Sequence, residues 1–208
     1  MIADDGLRPV RVWDLPTRVF HWLLAAAVIG AVVTAKIGGN AMVWHLRLGL
    51  TVLALLVFRL AWGFVGGHWS RFKVFAYGPA SVRAYLRGDA GPGGRYDVGH
   101  SPLGALSVFA LLGVLILQVS TGLIADDEVA TVGPLNRFVD VAVGLKASTW
   151  HTRVGQYLII VLTLVHVGAV LYYLRAKRRN LIAPMWHGDK HLAPGTPASA
   201  DGLSLIHI

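Results

Sequence analysis

Long apolar stretches dominate the chain and are separated by shorter polar segments. Each stretch has about the 20 mostly apolar residues that an α-helix needs to cross a bilayer. The first stretch is longer than the roughly 7–15-residue core of a signal peptide, so we interpret it as an uncleaved helix. The predicted transmembrane helices are about residues 19–37, 44–65, 103–124 and 150–174.

This pattern predicts one domain over residues 1–191, an all-α membrane protein built as a four-transmembrane-helix bundle. Pro16 lies just before the first helix, where a helix start tolerates proline. The connection over residues 66–100 contains Gly91-Pro92-Gly93-Gly94, which predicts a flexible turn rather than a second domain. The end of the chain is rich in Pro, Gly, Ser and Ala, and we predict that residues 192–208 form a disordered tail.

Basic residues are concentrated on one side of the predicted helices. Four spans place both termini on the same side, and that side also contains the 66–100 connection. Since basic loops stay in the cytoplasm, both termini are predicted to be cytoplasmic in the bacterial inner membrane. The basic residues are Arg71, Lys73, Arg83, Arg87 and Arg95 in the connection, and Arg175, Lys177, Arg178 and Arg179 after the last helix.

Composition supports a membrane protein and restricts its cofactors. Hydrophobic residues make up 55% of the chain and charged residues 14%, whereas soluble domains have about 25% charged residues. The chain has no cysteine, which excludes thiolate-held iron–sulfur clusters and covalently attached haem. The formal net charge of +8 does not indicate nucleic-acid binding here, because in a membrane protein a basic excess reports orientation.

Four histidines lie near the ends of the apolar stretches and form two pairs at matching depth: His21 with His166, and His45 with His151. Ionisable residues inside a membrane are costly and mark functional sites. His166 follows His151 by fifteen residues, about 22 Å along a helix and within about 60° of the same face. The pairs predict two b haems, each with two axial imidazoles. The alternatives are single helix-to-helix hydrogen bonds and a non-haem metal, which usually needs three or four clustered ligands.

Two arginines are candidates for binding haem propionates. Arg59 lies fourteen residues after His45 and therefore at the opposite depth, near the expected cytoplasmic haem. Arg18 is three residues before His21. The alternative for both is snorkelling of the side chain to lipid headgroups. A fifth histidine, His100, opens the third helix, where it is either an interfacial cap or a site of quinone contact or proton delivery.

With these residues in place, the chain resembles the prokaryotic cytochrome b561 family and the related b-type cytochrome subunits of nickel-iron hydrogenases. The resemblance covers about residues 8–190 and implies four helices, two b haems and exchange with membrane quinone. It assigns the axial ligands to the same four histidines. The motifs that carry it are Val12-Trp13-Asp14-Leu15-Pro16-Thr17-Arg18 with Phe20-His21-Trp22, Trp44-His45 with Gly49, Phe58-Arg59-Leu60 with Trp62-Gly63-Phe64, Gly99-His100-Ser101-Pro102-Leu103-Gly104, and Trp150-His151 with His166.

The sequence thus predicts an electron-transfer subunit or quinone-linked oxidoreductase, a di-haem cytochrome b in the lipid bilayer. It would pass electrons between the quinone pool and a periplasmic partner, which is a hydrogenase, another dehydrogenase or a c-type cytochrome. One alternative is superoxide oxidation with reduction of ubiquinone. The predicted periplasmic loops have four acidic and three basic residues, however, and this net negative charge does not favour attraction of an anionic substrate. Another alternative is a non-redox transporter with gating histidines, which would be colourless when purified.

Overall fold

A computed structural model describes residues 6–89, 96 and 98–200 of the chain, and these are mostly helical. The helices and strands, in chain order, are β1 (Arg8–Arg11), α1 (Leu15–Ile37), α2 (Met42–Val65), α3 (Phe72–Phe75), α4 (Pro79–Arg87), α5 (Pro102–Ile124), α6 (Val141–Thr149), α7 (Gln156–Arg175), α8 (Ile182–His187) and β2 (Asp189–Leu192).

Four of the helical segments are long and apolar enough to cross a membrane: Leu15–Ile37, Gly39–Val65, Pro102–Ile124 and Val141–Arg175. The four predicted spans are therefore present, with different starting points. α1 begins at Leu15 because the side chain of Asp14 caps it, accepting a hydrogen bond from the backbone N–H of Thr17 at 2.8 Å. Pro16 lies in the first turn, where a backbone N–H would have no acceptor within the helix. The N–H that proline lacks is therefore not needed there.

The fourth span is longer than the sequence predicted, since the helix starts at Val141 rather than near Trp150. α6 leads directly into a π-helical segment, Trp150–Gly155, and α7 continues from it. Polar residues in the last turn of α6 interrupt the apolar run, so hydropathy alone places the start of the span after them. π-helical turns are rare and are frequently found at functional sites. This one contains His151.

The expectation of a disordered tail from Leu192 is wrong for the part of it that the structure describes. Leu192 closes β2, which pairs antiparallel with β1 so that Arg8 faces Leu192 and Arg11 faces Asp189. Farther along, the buried Ser199 accepts a hydrogen bond from the backbone N–H of Trp69 at 3.2 Å. Backbone pairing and this contact hold a segment whose composition alone indicates disorder. Residues 201–208 and the Gly91–Gly94 turn lie outside the described residues.

The chain divides into two compact units, and α1, α2, α5 and α7 have residues in both. The terminal unit contains, within the described residues, 6–21, 58–108 and 169–200. Its buried core is Val12, Trp13, Trp69 and Val98. The loop unit contains residues 22–57 and 109–168. Large apolar side chains are exposed along its helices, as lipid-facing surfaces require: Ile29, Val33, Val57, Leu164 and Val165 are each at least half exposed.

Candidate haem site

The loop unit brings His45 and His151 together. His45 is in the first turns of α2, and His151 is in the π-helical segment before α7. Their ring centroids are 5.9 Å apart, their planes meet at 85°, and both residues are partly buried. The sequence paired these two residues by depth alone, and the structure places their imidazoles side by side.

Both imidazoles are oriented by a backbone carbonyl of a neighbouring helix. His45 Nδ1 lies 2.9 Å from the carbonyl oxygen of Ala31 in α1, and His151 Nδ1 lies 2.9 Å from that of Gln118 in α5. A carbonyl only accepts, so each Nδ1 carries the proton and donates it. The lone pair is then on Nε2 in both rings. This is the tautomer and the supporting contact that metal-binding histidines have.

The spacing of the two rings fits a haem iron between them. If both Nε2 atoms bound one iron at about 2 Å, as in zinc–imidazole bonds, and each ring centroid lay about 1 Å farther, the two centroids would be about 6 Å apart. The observed separation is 5.9 Å. Within residues 6–89, 96 and 98–200, no group of three or more His, Cys, Asp or Glu is placed to hold a metal ion. Two imidazoles alone suit haem, because the porphyrin supplies the other four nitrogens.

Glycines around the pair have two different roles. A Cβ atom at Gly49, one turn after His45, would meet nothing within 4 Å, so no protein group packs against this position. A Cβ at Gly155 would lie 1.9 Å from Gln118 Oε1, and one at Gly122 would lie 2.7 Å from His151 Cε1. Gly122 and Gly155 are therefore needed for close packing of protein against protein, whereas Gly49 makes no such contact.

In the terminal unit, Arg59 is a buried cation with an unused donor. It is 3% exposed, and its guanidinium lies 4.6 Å from the ring centroid of Phe72. Its Nη1 is buried and has no hydrogen-bond partner within the described part of the chain. A buried donor that has no hydrogen-bond partner is costly. An anionic propionate is the kind of group that would satisfy it, and the snorkelling alternative does not describe a side chain this deeply buried.

The other predicted site residues are placed as follows. His21 is partly buried in α1 within the terminal unit, and His166 is partly buried in α7 within the loop unit. Arg18 Nη1 donates to the carbonyl oxygen of Trp186 at 2.7 Å and so ties α1 to α8. Their roles as iron and propionate ligands remain predictions.

His100 lies among aromatic rings at the start of α5. Its ring centroid is 4.7 Å from that of Trp13 and 4.4 Å from that of Phe75. The capping of α5 is done by Ser101, whose Oγ accepts a hydrogen bond from the backbone N–H of Gly104 at 3.2 Å. Ser101, rather than His100, therefore caps α5. That His100 contacts quinone or delivers protons stays a prediction.

Sequence reasoning missed Asp14, which organises the terminal unit beside Arg59. Its carboxylate is fully buried and accepts hydrogen bonds from Thr17 N, Gly67 N, Ser70 Oγ and Trp62 Nε1 at 2.7–3.2 Å. It also interacts electrostatically with Arg59. An acidic residue directly before an apolar span is an available signal, because helix N-termini favour aspartate there.

A profile of the prokaryotic cytochrome b561 family matches residues 12–188, which is most of the chain. The chain belongs to the prokaryotic cytochrome b561 family. Together with the four apolar helices, this membership makes it a multi-pass membrane b-type cytochrome of electron transfer that binds haem b.

Relatives of this cytochrome b561 have names from hydrogenase systems. One is a probable Ni/Fe-hydrogenase B-type cytochrome subunit of Azotobacter vinelandii, 25% identical over 89% of this chain and 92% of the relative. A subunit with the same name from Cupriavidus necator is 25% identical over 89% of this chain and 88% of the relative. The probable Ni/Fe-hydrogenase 1 B-type cytochrome subunit of Escherichia coli is 24% identical over 79% and 83%.

Proposed function

We propose that this cytochrome b561 holds two b haems and transfers single electrons across the inner membrane between a periplasmic redox partner and membrane quinone. The observation that carries the proposal is the His45–His151 pair, with ring centroids 5.9 Å apart and both Nδ1 atoms directed to backbone carbonyls. A bound haem supplies one-electron redox chemistry, with a potential tuned by its axial ligands and their hydrogen bonds. The protein's part is to hold the two Nε2 lone pairs ready and to exclude solvent.

The second haem is proposed between His21 and His166. The support is the sequence: His166 lies about 22 Å along the helix from His151, at the depth of His21 at the opposite end of the bundle. Arg59 is the first propionate candidate, since a buried guanidinium with an unused donor suits a propionate. Arg18 is the second propionate candidate.

The orientation and partners complete the proposal. Basic residues flanking the spans favour cytoplasmic termini, which puts the His45–His151 site on the periplasmic side. The relatives' names favour a nickel-iron hydrogenase as the periplasmic redox partner. His100 is proposed to contact quinone or deliver protons on the cytoplasmic side.

The haem content of the purified protein tests the proposal. A pyridine haemochrome assay against protein mass is expected to give two b haems per chain. A ratio near one would remove the second site. A colourless protein would remove the electron-transfer function and favour a transporter with gating histidines.

A further inference from the structure

The side chain of Gln118 has a place in the His45–His151 site that no other polar residue of α5 shares. Its Nε2 donates to the backbone oxygen of His151 at 2.9 Å, while its own backbone oxygen accepts from His151 Nδ1 at 2.9 Å. One residue of α5 thus binds both the backbone and the ring of the same histidine. The Nδ1 contact holds the ring itself, and the Nε2 contact holds the backbone that carries the ring.

The neighbouring backbone is shaped around this double contact. His151 lies in the π-helical segment Trp150–Gly155, where backbone carbonyls do not follow the regular i→i+4 pattern. Gln118 satisfies the carbonyl of His151 there. Gly155 makes room for it, because a Cβ at that position would lie 1.9 Å from Gln118 Oε1.

One helical turn along α5, the backbone at Gly122 limits the remaining movement of the His151 ring. A Cβ at Gly122 would lie 2.7 Å from His151 Cε1 and 3.1 Å from Nδ1. The imidazole therefore lies directly against the α5 backbone, held at Nδ1 and supported beside Cε1. Gln118 and Gly122 together form a seat for this ring, which we call the α5 seat.

We propose that Gln118 is a positioning residue that, through the α5 seat, fixes the plane of the His151 imidazole nearly perpendicular to that of His45. This inference rests on the proposed function, namely that the two histidines bind one haem iron. The observed angle between the ring planes is 85°. Perpendicular axial imidazoles interact with two different iron d orbitals to the same extent, which leaves those orbitals nearly equal in energy. Parallel imidazoles split them.

This difference has a direct spectroscopic signature. A low-spin ferric haem with nearly degenerate orbitals gives a strongly anisotropic electron paramagnetic resonance signal with a large maximum g value. A haem with parallel imidazoles gives a rhombic signal with a smaller maximum. The His45–His151 haem is expected to give the strongly anisotropic signal, which His45→Ala should remove and thereby assign.

The test compares Gln118→Met and Gly122→Ala with the wild type, in full-length protein carrying haem. Gln118→Met keeps the length of the side chain but removes the donor to the His151 carbonyl. Gly122→Ala pushes the His151 ring out of the seat and leaves the side chain of Gln118 unchanged. The matched control is Ser120→Ala, at an exposed position of the same helix. Each seat variant should shift the assigned signal to a lower maximum g and change the midpoint potential of that haem, while Ser120→Ala leaves both unchanged.

The outcomes separate this inference from the proposed function. Two b haems per chain with an unshifted signal in Gln118→Met would overturn the role of Gln118 and leave the function intact, whatever Gly122→Ala does. A rhombic signal from the wild-type His45–His151 haem would overturn it as well. If Gln118→Met loses the haem, the signal of Gly122→Ala decides: a lower maximum g value supports the α5 seat, and an unchanged value overturns it. A wild-type protein without haem would instead contradict the proposed function.

Discussion

Replacement of Asp14 by alanine should destabilise the terminal unit more than any surface change in it. The carboxylate caps α1 through Thr17 and reaches across to Gly67, Ser70 and Trp62. It therefore joins the start of α1 to the end of α2 and to the turn that follows α2. Removing it leaves buried donors without an acceptor.

The contacts give the expected size of the loss. Ser70 keeps a second partner, since its Oγ lies 2.7 Å from Thr17 Oγ1, and Trp62 is only partly buried. The backbone N–H groups of Thr17 and Gly67 are the two donors left buried and unsatisfied. Each costs about 1–3 kcal/mol, so we expect Asp14→Ala to lower the free energy of unfolding by about 4 kcal/mol. Asp14→Asn keeps an acceptor and should lose about half as much.

Gly67→Ala offers an independent perturbation of the same contact. A Cβ there would lie 2.3 Å from Asp14 Oδ2 and would displace the carboxylate while leaving it in the chain. Denaturant unfolding in detergent, followed by circular dichroism and haem absorbance, measures both effects. The matched control is Asp89→Asn, an exposed aspartate of the same unit, which should change stability by less than about 0.5 kcal/mol.

Asp14 does not stabilise this junction if Asp14→Ala unfolds at the same denaturant concentration as Asp89→Asn. The same conclusion follows if Gly67→Ala is as stable as the wild type, because the carboxylate would then have an equally good alternative position. Agreement of the two perturbations would show that the hydrogen bonds, rather than the negative charge alone, hold this junction.

Three further predictions concern the remaining sites. His45→Ala should remove one haem and His21→Ala the other, each halving the haem absorbance; loss of the same spectral component in both variants would contradict the pairing. Arg59→Leu should lower one midpoint potential by about 59 mV, which corresponds to about 1.4 kcal/mol for one electron; two unchanged haems in a redox titration would make this arginine structural. Asp127 accepts hydrogen bonds from the backbone N–H groups of residues 129–131, which lower its pKa from 3.8 to about 2. Because the folded pKa is depressed, its stabilisation of this loop is complete above the unfolded pKa and lost as the pH falls through about 2. Amide exchange of residues 129–131 should thus stay protected down to about pH 4 and open toward pH 2, whereas Asp127→Asn should be less protected at every pH.

The four long helices and the pairing of His45 with His151 could be predicted from the sequence, because a bilayer requires long apolar helices and the helical rise sets the spacing of residues along each helix. Backbone groups in lipid must be satisfied within the segment, so an apolar stretch of sufficient length becomes a helix whatever its neighbours are. A fixed rise per residue then converts residue number into depth. The juxtaposition of His45 and His151 was accessible in this way without any knowledge of contacts.

The contacts that refine the site were decided by the tertiary structure. Gln118 is a lone amide in an apolar span, and its sequence position does not say whether its side chain faces lipid, a helix or a cofactor. Asp14 meets Gly67 and Ser70 because the turn after α2 folds back onto the start of α1. Likewise, residues 192–200 are held by pairing with β1 and by contact with Trp69, although their composition favours disorder. Hydropathy and helical rise are local properties of the chain. Which backbone carbonyl accepts the hydrogen bond of which imidazole depends on how helices far apart in sequence pack. Only the folded chain determines that packing.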